Sequence, residues 1–413
     1  MPLPVSTVTV TAAIITIMSC GVWRPRVGSV YGGYHPDCQS YGAKRVLARL
    51  GRTSGHQIAG GFPHRWFEGG GDKWVWTTEG CSTEAHFDPA AFAERLRGGR
   101  LTYAGDSLAG QSFVSLLCLL MHRITANHTD NHSNESTYML EPTSASFALD
   151  TGAAVQFVLS DFLTGGVSMA QALDAAYRAN TTYAPATWMH MLTQDAEYHL
   201  SHSHGGSGLK TARSDQSWLG RLRSGRQSAH DVLVLSTGFH WAGALAWSKA
   251  QPSKILAVYH HMVNSVCAAI AASGYRGRVF YMTTYAPGCA NRTTQPKPEA
   301  NRSTLLPTDA PHGWGWVHYL DSFWPVVAAR ALPQLRVLNV SLLSSVRTDR
   351  HVGDLSLTGD DGRPIWDCLH FRLPGPPDVW NLVLQEAMKL EDMNDLRGKI
   401  RSDQVHFAGR TAG

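Results

Sequence analysis

The chain has 413 residues, 43% hydrophobic and 16% charged, a globular composition long enough to bury a large core in a single α/β unit. Lys and Arg exceed Asp and Glu by 36 to 32, and a net charge of +4 spread over that length excludes a nucleic-acid surface built on bulk charge. There is no G-x-G-x-x-G or G-x-x-x-x-G-K-[ST] phosphate loop and no internal repeat, which sets aside dinucleotide-binding, NTP-loop and solenoid classes.

In chain order, residues 4–19 carry no charge, and a secretory signal, a short membrane anchor and an apolar first strand all fit them. Residues 20–80 hold many Gly, Trp, Tyr and His without a sustained period, which predicts an irregular region tethered by cysteines. Alternation then sets in: a helix over Ala90–Leu96, a strand over Leu101–Ala104, a helix over Ser112–His122 and a strand over Ala153–Leu159. A helix is expected over Met169–Arg178, followed by an unassigned stretch. The apolar run Asp231–Ser236 reads as a strand, Leu256–Ala272 as a helix and Arg278–Met282 as a strand. After a Pro- and Asn-rich loop over 287–311, Ser322–Ala331 reads as helix and Leu335–Val340 as a buried strand. Apolar strands alternating with helices predict a three-layer αβα domain around a mostly parallel sheet over 81–390, with a polar tail over 391–413.

Seven Asn-x-Ser/Thr sequons begin at Asn127, Asn131, Asn134, Asn180, Asn291, Asn301 and Asn339. The three crowded between Asn127 and Ser136 predict a glycosylated loop, whereas Asn339 is expected to be buried and unused. The 7 cysteines form no CxxC pair and no zinc-like spacing, so no metal is expected. In an oxidising compartment some would be bridged; the odd total leaves one over, and Cys118, on the apolar face of a helix, is the expected free thiol. His199, His202 and His204 read as part of a polar loop rather than a metal site.

Two places carry chemistry. Gly105-Asp106-Ser107 falls where a strand gives way to a helix, at the carboxyl edge where parallel sheets hold their sites. Gly105 permits a tight turn there, and the helix N-terminus beyond it favours an oxyanion. Read alone, the triplet fits an ordinary helix cap better. Asp367-x-x-His370 changes the balance, because Ser needs a base and the base needs a carboxylate partner to set its tautomer. On a helical turn the Asp and His would share a face.

Four blocks around these residues extend the pattern: GDSLAGQSFVSLLCLL from Gly105, DVLVLSTGFHW from Asp231, VRTDRH from Val346 and DCLHFRLPGPPDVWNLVL from Asp367. In this order they resemble the blocks of the plant trichome-birefringence-like polysaccharide O-acetyltransferases, members of the PC-esterase group related in fold to SGNH/GDSL hydrolases. The resemblance implies that Ser107 is the acylated nucleophile, His370 the general base and acid, and Asp367 its orienting partner. It implies substrate or supporting positions at Gly105, Asp106, Gln111, Gly238, Trp241, Arg347, Asp349 and His351, with a surface ion pair as the alternative for Arg347 and Asp349. The family's Arg and Asn after GDSL-x are Gly110 and Gln111 here, and its final-block Cys is Arg372, so this is a divergent member.

The activity so implied is transfer of an acetyl group onto a hydroxyl of a cell-wall polysaccharide such as xylan, in the Golgi. The expected co-substrate is an acyl donor, acetyl-CoA or an acetylated intermediate, with no tightly bound cofactor. A carbohydrate acetylesterase using the same three residues and an inactive glycan-binding protein are the alternatives.

Overall fold

The computed structural model describes residues 22–25, 74–77, 86–128, 144–160, 162–163, 218–219, 222, 227–247, 252–285, 311–347, 350–352 and 367–410. Near the N-terminus β1 (Val22–Pro25) pairs antiparallel with β2 (Trp74–Thr77). The expected cysteine tethering of that region, the helix over 169–178, the histidines 199, 202 and 204 and the loop over 287–310 lie outside the described residues.

The domain is built on a seven-stranded mixed sheet. Its strands are β3 (Arg100–Gly105), β4 (Ile124–His128), β5 (Ser144–Leu149), β6 (Ala154–Leu159), β7 (Val232–Ser236), β8 (Arg278–Met282) and β9 (Leu335–Leu338). Their spatial order is β4-β5-β6-β3-β7-β8-β9; β6 through β9 run parallel, and β4 and β5 add an antiparallel edge. That edge was not expected from the sequence, and it places Asn127 in a strand rather than in a loop. Asn339 is exposed just beyond the end of β9, so the expectation of a buried strand there was wrong: strand order stops at Leu338.

Side-chain alternation divides the helices between two faces. Tyr103 donates to Asn381 Oδ1 (2.6 Å) and packs edge-on against Phe113 at 6.4 Å. That face carries α2 (Ser107–Leu119) and α7 (Pro376–Arg410). Tyr281 is in register with Leu235, and Leu235 with Ala104, one residue out of step with Tyr103, so it looks the other way. There it stacks on Trp324 at 4.3 Å, on α5 (Val317–Ala331), which packs with α3 (Phe239–Trp247) and α4 (Pro252–Ala272). Two further helices among the described residues are short: α1 (Pro89–Arg95), capped by Asp88 through Ala90 and Ala91 N–H groups, and α6 (Ser341–Ser345).

Two boundaries differ from expectation in ways that matter. Helix α2 begins at Ser107 rather than Ser112, because Asp106 caps it immediately after β3. Residues 391–410 continue α7 rather than forming a tail. Asn381 anchors α7 by donating to Ser112 O (3.0 Å) and Ser115 Oγ (3.0 Å), while Asp378 accepts from Ser115 Oγ at 2.5 Å. These bonds bring the segment just before α7 to the start of α2. The cysteines also depart from expectation: Cys118, though buried on the apolar face of α2, is disulfide-bonded, as is Cys368. The free cysteine among the described residues is Cys267 on α4, whose thiol burial pushes up to about 12. Burial on an apolar helix face is common to both residues and does not distinguish them.

β3 runs close against the end of β7 at Gly105, where a Cβ would stand 2.0 Å from the Ser236 carbonyl oxygen. A Gly105→Ala protein is therefore expected to lose about 3 kcal/mol or more of stability by urea denaturation, or to fail to fold. A loss under about 1 kcal/mol would mean that the two strands separate at little cost.

Candidate active site

The turn after β3 is dictated by three neighbouring residues. Gly105 lets the strand run against Ser236. Asp106, extended at φ −78° and ψ −167°, accepts the Leu108 N–H at 3.0 Å, and its own carbonyl receives the Gly110 N–H at 3.1 Å. Ser107 is thereby the first residue of α2, partly exposed, with the positive end of the helix beside it.

The second segment is not helical, contrary to expectation. Residues 367–370 form a bend whose shape comes from one side chain. Asp367 Oδ1 accepts the backbone N–H groups of Leu369 (3.1 Å) and His370 (2.9 Å), turning the chain back on itself. This leaves Asp367 Oδ2 to face His370 Nδ1 at 2.9 Å, while His370 Nε2 stands 2.7 Å from Ser107 Oγ. The three-residue spacing thus works through a carboxylate-capped turn.

Burial alone would raise the Asp367 pKa, but His370 and the two backbone N–H groups outweigh it and hold the carboxyl at about 2. An ionised Asp367 only accepts, so Nδ1 carries the proton and the Nε2 lone pair is left to receive the Ser107 hydroxyl proton. Side-chain exposures of 8% for His370 and 10% for Asp367 keep this pair largely out of water.

Backbone and aromatic contacts hold the bend in place. Gln111 Nε2 donates to Phe371 O at 2.6 Å and Gln111 Oε1 accepts from Phe371 N at 3.0 Å. Val352 N donates to His370 O (3.0 Å) and Arg372 N to Arg350 O (2.8 Å), with His351 bridged to Phe371. Arg372, where the resembling family has a cysteine, sends Nη2 to Val352 O at 3.2 Å. From the other side Tyr285 donates to Leu369 O, and its ring packs on Phe371 at 4.9 Å and Trp380 at 5.8 Å.

The remaining expected site residues fall into distinct places. Gln111 is fully buried and bonded through both Oε1 and Nε2 to Phe371. Gly238 opens the turn after β7, where a Cβ would meet Thr284 Cγ2 at 2.6 Å. Trp241 lies in the core, edge-on to Phe162 (5.2 Å) and Tyr259 (5.3 Å), and offers no face to a sugar. Arg347 is fully buried rather than a member of a surface ion pair, and Asp349 lies outside the described residues. His351 is fully buried and stacked on Phe371 at 4.4 Å; desolvation lowers its pKa to about 4, making it a neutral ring behind the site. Tyr285 was not anticipated; its signal was its place three residues past the end of β8, at the carboxyl edge.

The family model for PC-esterases, described as the GDSL/SGNH-like acyl-esterase family found in Pmr5 and Cas1p, matches residues 85–183 and 170–387. Among curated relatives, protein YLS7 of Arabidopsis thaliana is 22% identical over 362 residues, covering 78% of this chain and 62% of its own length. Xylan O-acetyltransferase 2 of Oryza sativa subsp. japonica is 23% identical over 344 residues, covering 76% of this chain and 60% of its own. Xyloglucan O-acetyltransferase 1 of Arabidopsis thaliana is 24% identical over 342 residues, covering 76% and 70%. The chain thus spans less than two thirds of the length of the first and second of these relatives.

Replacing Gln111 by Leu leaves the Phe371 N–H and C=O buried without this partner, at about 1–3 kcal/mol for each group. Chemical denaturation is expected to show a loss of about 2–4 kcal/mol. Equal stability of the Leu variant would show that the reciprocal pair carries no weight.

Proposed function

The chain belongs to the PC-esterase family, and from that premise we propose that it is a polysaccharide O-acetyltransferase working through an acyl-enzyme on Ser107. The observation that carries the proposal is the relay in which His370 Nε2 lies 2.7 Å from Ser107 Oγ and His370 Nδ1 lies 2.9 Å from Asp367. Relatives named xylan and xyloglucan O-acetyltransferases supply the substrate class.

In this reading Ser107 Oγ attacks the acetyl carbonyl of the donor as its proton passes to His370 Nε2. The imidazolium is stabilised by ionised Asp367, and the oxyanion lies toward the N-terminal turn of α2. Collapse of the tetrahedral adduct breaks the bond to the donor's leaving group, which departs with the proton from His370. A sugar hydroxyl then gives its proton to the neutral imidazole and attacks the acetyl-serine ester; the acetyl–Oγ bond breaks as His370 returns that proton to Ser107 Oγ, leaving the acetylated sugar and the resting enzyme. The donor is acetyl-CoA or an acetylated intermediate, and no step calls for a metal.

Seven sequons and the disulfide-bonded Cys118 and Cys368 support action in the secretory pathway, with the Golgi lumen the favoured site. A second reading, hydrolysis of acetylated glycans, is favoured by the acyl-esterase description of the family, and only the acceptor differs.

Intact mass spectrometry of the secreted protein after exposure to an activated acetyl donor tests this. An increase of about 42 Da at Ser107, absent from Ser107→Ala and discharged faster by xylan oligosaccharides than by water, is expected. Discharge mainly to water would move the assignment to an esterase; no adduct and no turnover of acetylated glycans would remove both. Ser107→Ala should lower turnover by at least about 10³-fold. On the acid side kcat/KM should fall with a limiting slope of about one, because Asp367 stays ionised and only His370 gains a proton. A slope of two would contradict that assignment.

A further inference from the structure

A second buried carboxyl, which the acyl chemistry does not use, lies under the carboxyl ends of β7 and β8. Asp321 on α5 accepts through Oδ2 from Thr284 N (3.0 Å) and Thr284 Oγ1 (2.8 Å). Its Oδ1 is 2.5 Å from Tyr281 Oη, which is also 2.9 Å from the Thr237 carbonyl oxygen. Nearby, the Tyr259 hydroxyl accepts from Trp324 Nε1 at 2.9 Å.

Counting protons decides the state of the carboxyl. Tyr281 has one proton of its own and two oxygens within reach, Thr237 O and Asp321 Oδ1. If Asp321 is ionised, one of those two short oxygen–oxygen contacts has no proton in it. A proton on Asp321 Oδ1, donated to Tyr281, frees the tyrosine O–H for Thr237 and satisfies every contact in the chain. The surroundings agree: burial pushes Asp321 up to about 7, against the lowering effect of the bonds from Tyr281 and Thr284. The titratable groups facing it, Tyr281 from β8 and Tyr259 from α4, are raised above their ordinary values by burial and stay neutral.

We propose that Asp321 is a positioning residue that works in its protonated form, holding Thr237 through Tyr281 and so fixing the Thr237–Gly238 turn beside the nucleophile. The turn abuts the site on both sides. Asp106 N donates to Ser236 O at 3.4 Å, and Gly238 is packed against Thr284, whose neighbour Tyr285 holds Leu369. When the carboxyl ionises, it takes the Tyr281 proton for itself, Thr237 O loses that bond, and the turn is held by one restraint fewer. Its bearing on turnover rests on the acyl-enzyme reading above; the protonation state does not.

Asp321→Asn tests both parts, because an amide accepts from Thr284 and donates to Tyr281 as the protonated acid does, but cannot ionise. Asp321→Leu is the variant that lacks both functions. A raised native-state value stabilises fully below the unfolded value of 3.8, and that contribution is lost as pH rises through about 7. The melting temperature of the Asn variant relative to the native protein should therefore climb from pH 4 to pH 7 and then level. With p-nitrophenyl acetate as probe, native kcat should fall above the Asp321 midpoint, approaching about tenfold per pH unit if loss of that restraint stops turnover. Asn should restore the alkaline rate with KM little changed, and Leu should not. Parallel stability curves for Asn and native, or an Asn variant as unstable as Leu, would show that Asp321 is ionised and overturn the proposal. A rising stability difference with superimposable pH–rate profiles would leave the protonation intact and refute the positioning role.

Discussion

Residues 260 positions apart in sequence meet at the Gln111 amide, which gives a proton to the Phe371 carbonyl and takes one from the Phe371 N–H. The rest of the site depends on this joint. Gln111 is four residues along α2 from Ser107, so both point from one helical face, and Phe371 directly follows His370. A side chain that satisfies both groups of one peptide residue fixes translation and rotation together. One bond alone would leave a hinge, and the imidazole could then swing out of reach of the hydroxyl. Because the pair is buried, separation would strand two backbone groups away from water, which makes the register costly to break.

The strand-to-helix turn at Ser107 and the broad architecture were legible because they depend on local signals, whereas the reading of Ser107 as a nucleophile drew on Asp367-x-x-His370 and on the resembled blocks. A glycine ending an apolar run, followed by an acidic cap, marks the strand-to-helix turn at Ser107 wherever it occurs. The uninterrupted β7 and β8 runs identify strands buried on both faces. The antiparallel edge was not legible, since Ile124–His128 and Ser144–Leu149 are short, interrupted by Thr, Asn and Ser, and defined by pairing with each other. Spacing also misled about Asp367 and His370. Three residues apart suits a helical face, but the same separation lets an Asp cap the backbone of the turn it begins, and this sequence has no helical continuation before Pro374 and Pro376. For Trp241 and Arg347 the resemblance implied substrate or supporting positions without saying which; packing encloses Trp241 between Phe162 and Tyr259 and buries Arg347 fully, away from a surface ion pair.

Replacement of the family's cysteine by Arg372 shows how the same segment is secured by different means. A disulfide would hold one point of the chain covalently. The arginine reaches Val352 O through Nη2 while its backbone N–H meets Arg350 O, and Arg350 in turn reaches Pro374 O at 2.9 Å. Two long cations laid along the carbonyls of the 350–352 and 371–374 segments make a strap from a few directional bonds. Such a strap restrains the path of the backbone without setting the distance between two fixed points, and fine placement of His370 is left to Gln111 on one side and Tyr285 on the other.

Two carboxyls within one active-site edge show why burial by itself does not decide charge. Asp367 and Asp321 both suffer desolvation, yet they titrate in opposite directions, at about 2 and about 7. Asp367 receives two backbone N–H groups, whose protons cannot be given elsewhere, and faces an imidazole able to become a cation. Each of those contacts favours the anion. Asp321 receives one backbone N–H; its other partners are hydroxyls, and the Tyr281 hydroxyl is shared with a carbonyl that can never supply a proton. A hydroxyl can accept as readily as donate, so it tolerates a neutral acid where an N–H does not. Donor type separates the two acids, which places a fixed negative charge behind the base and keeps a second charge from forming under the neighbouring turn.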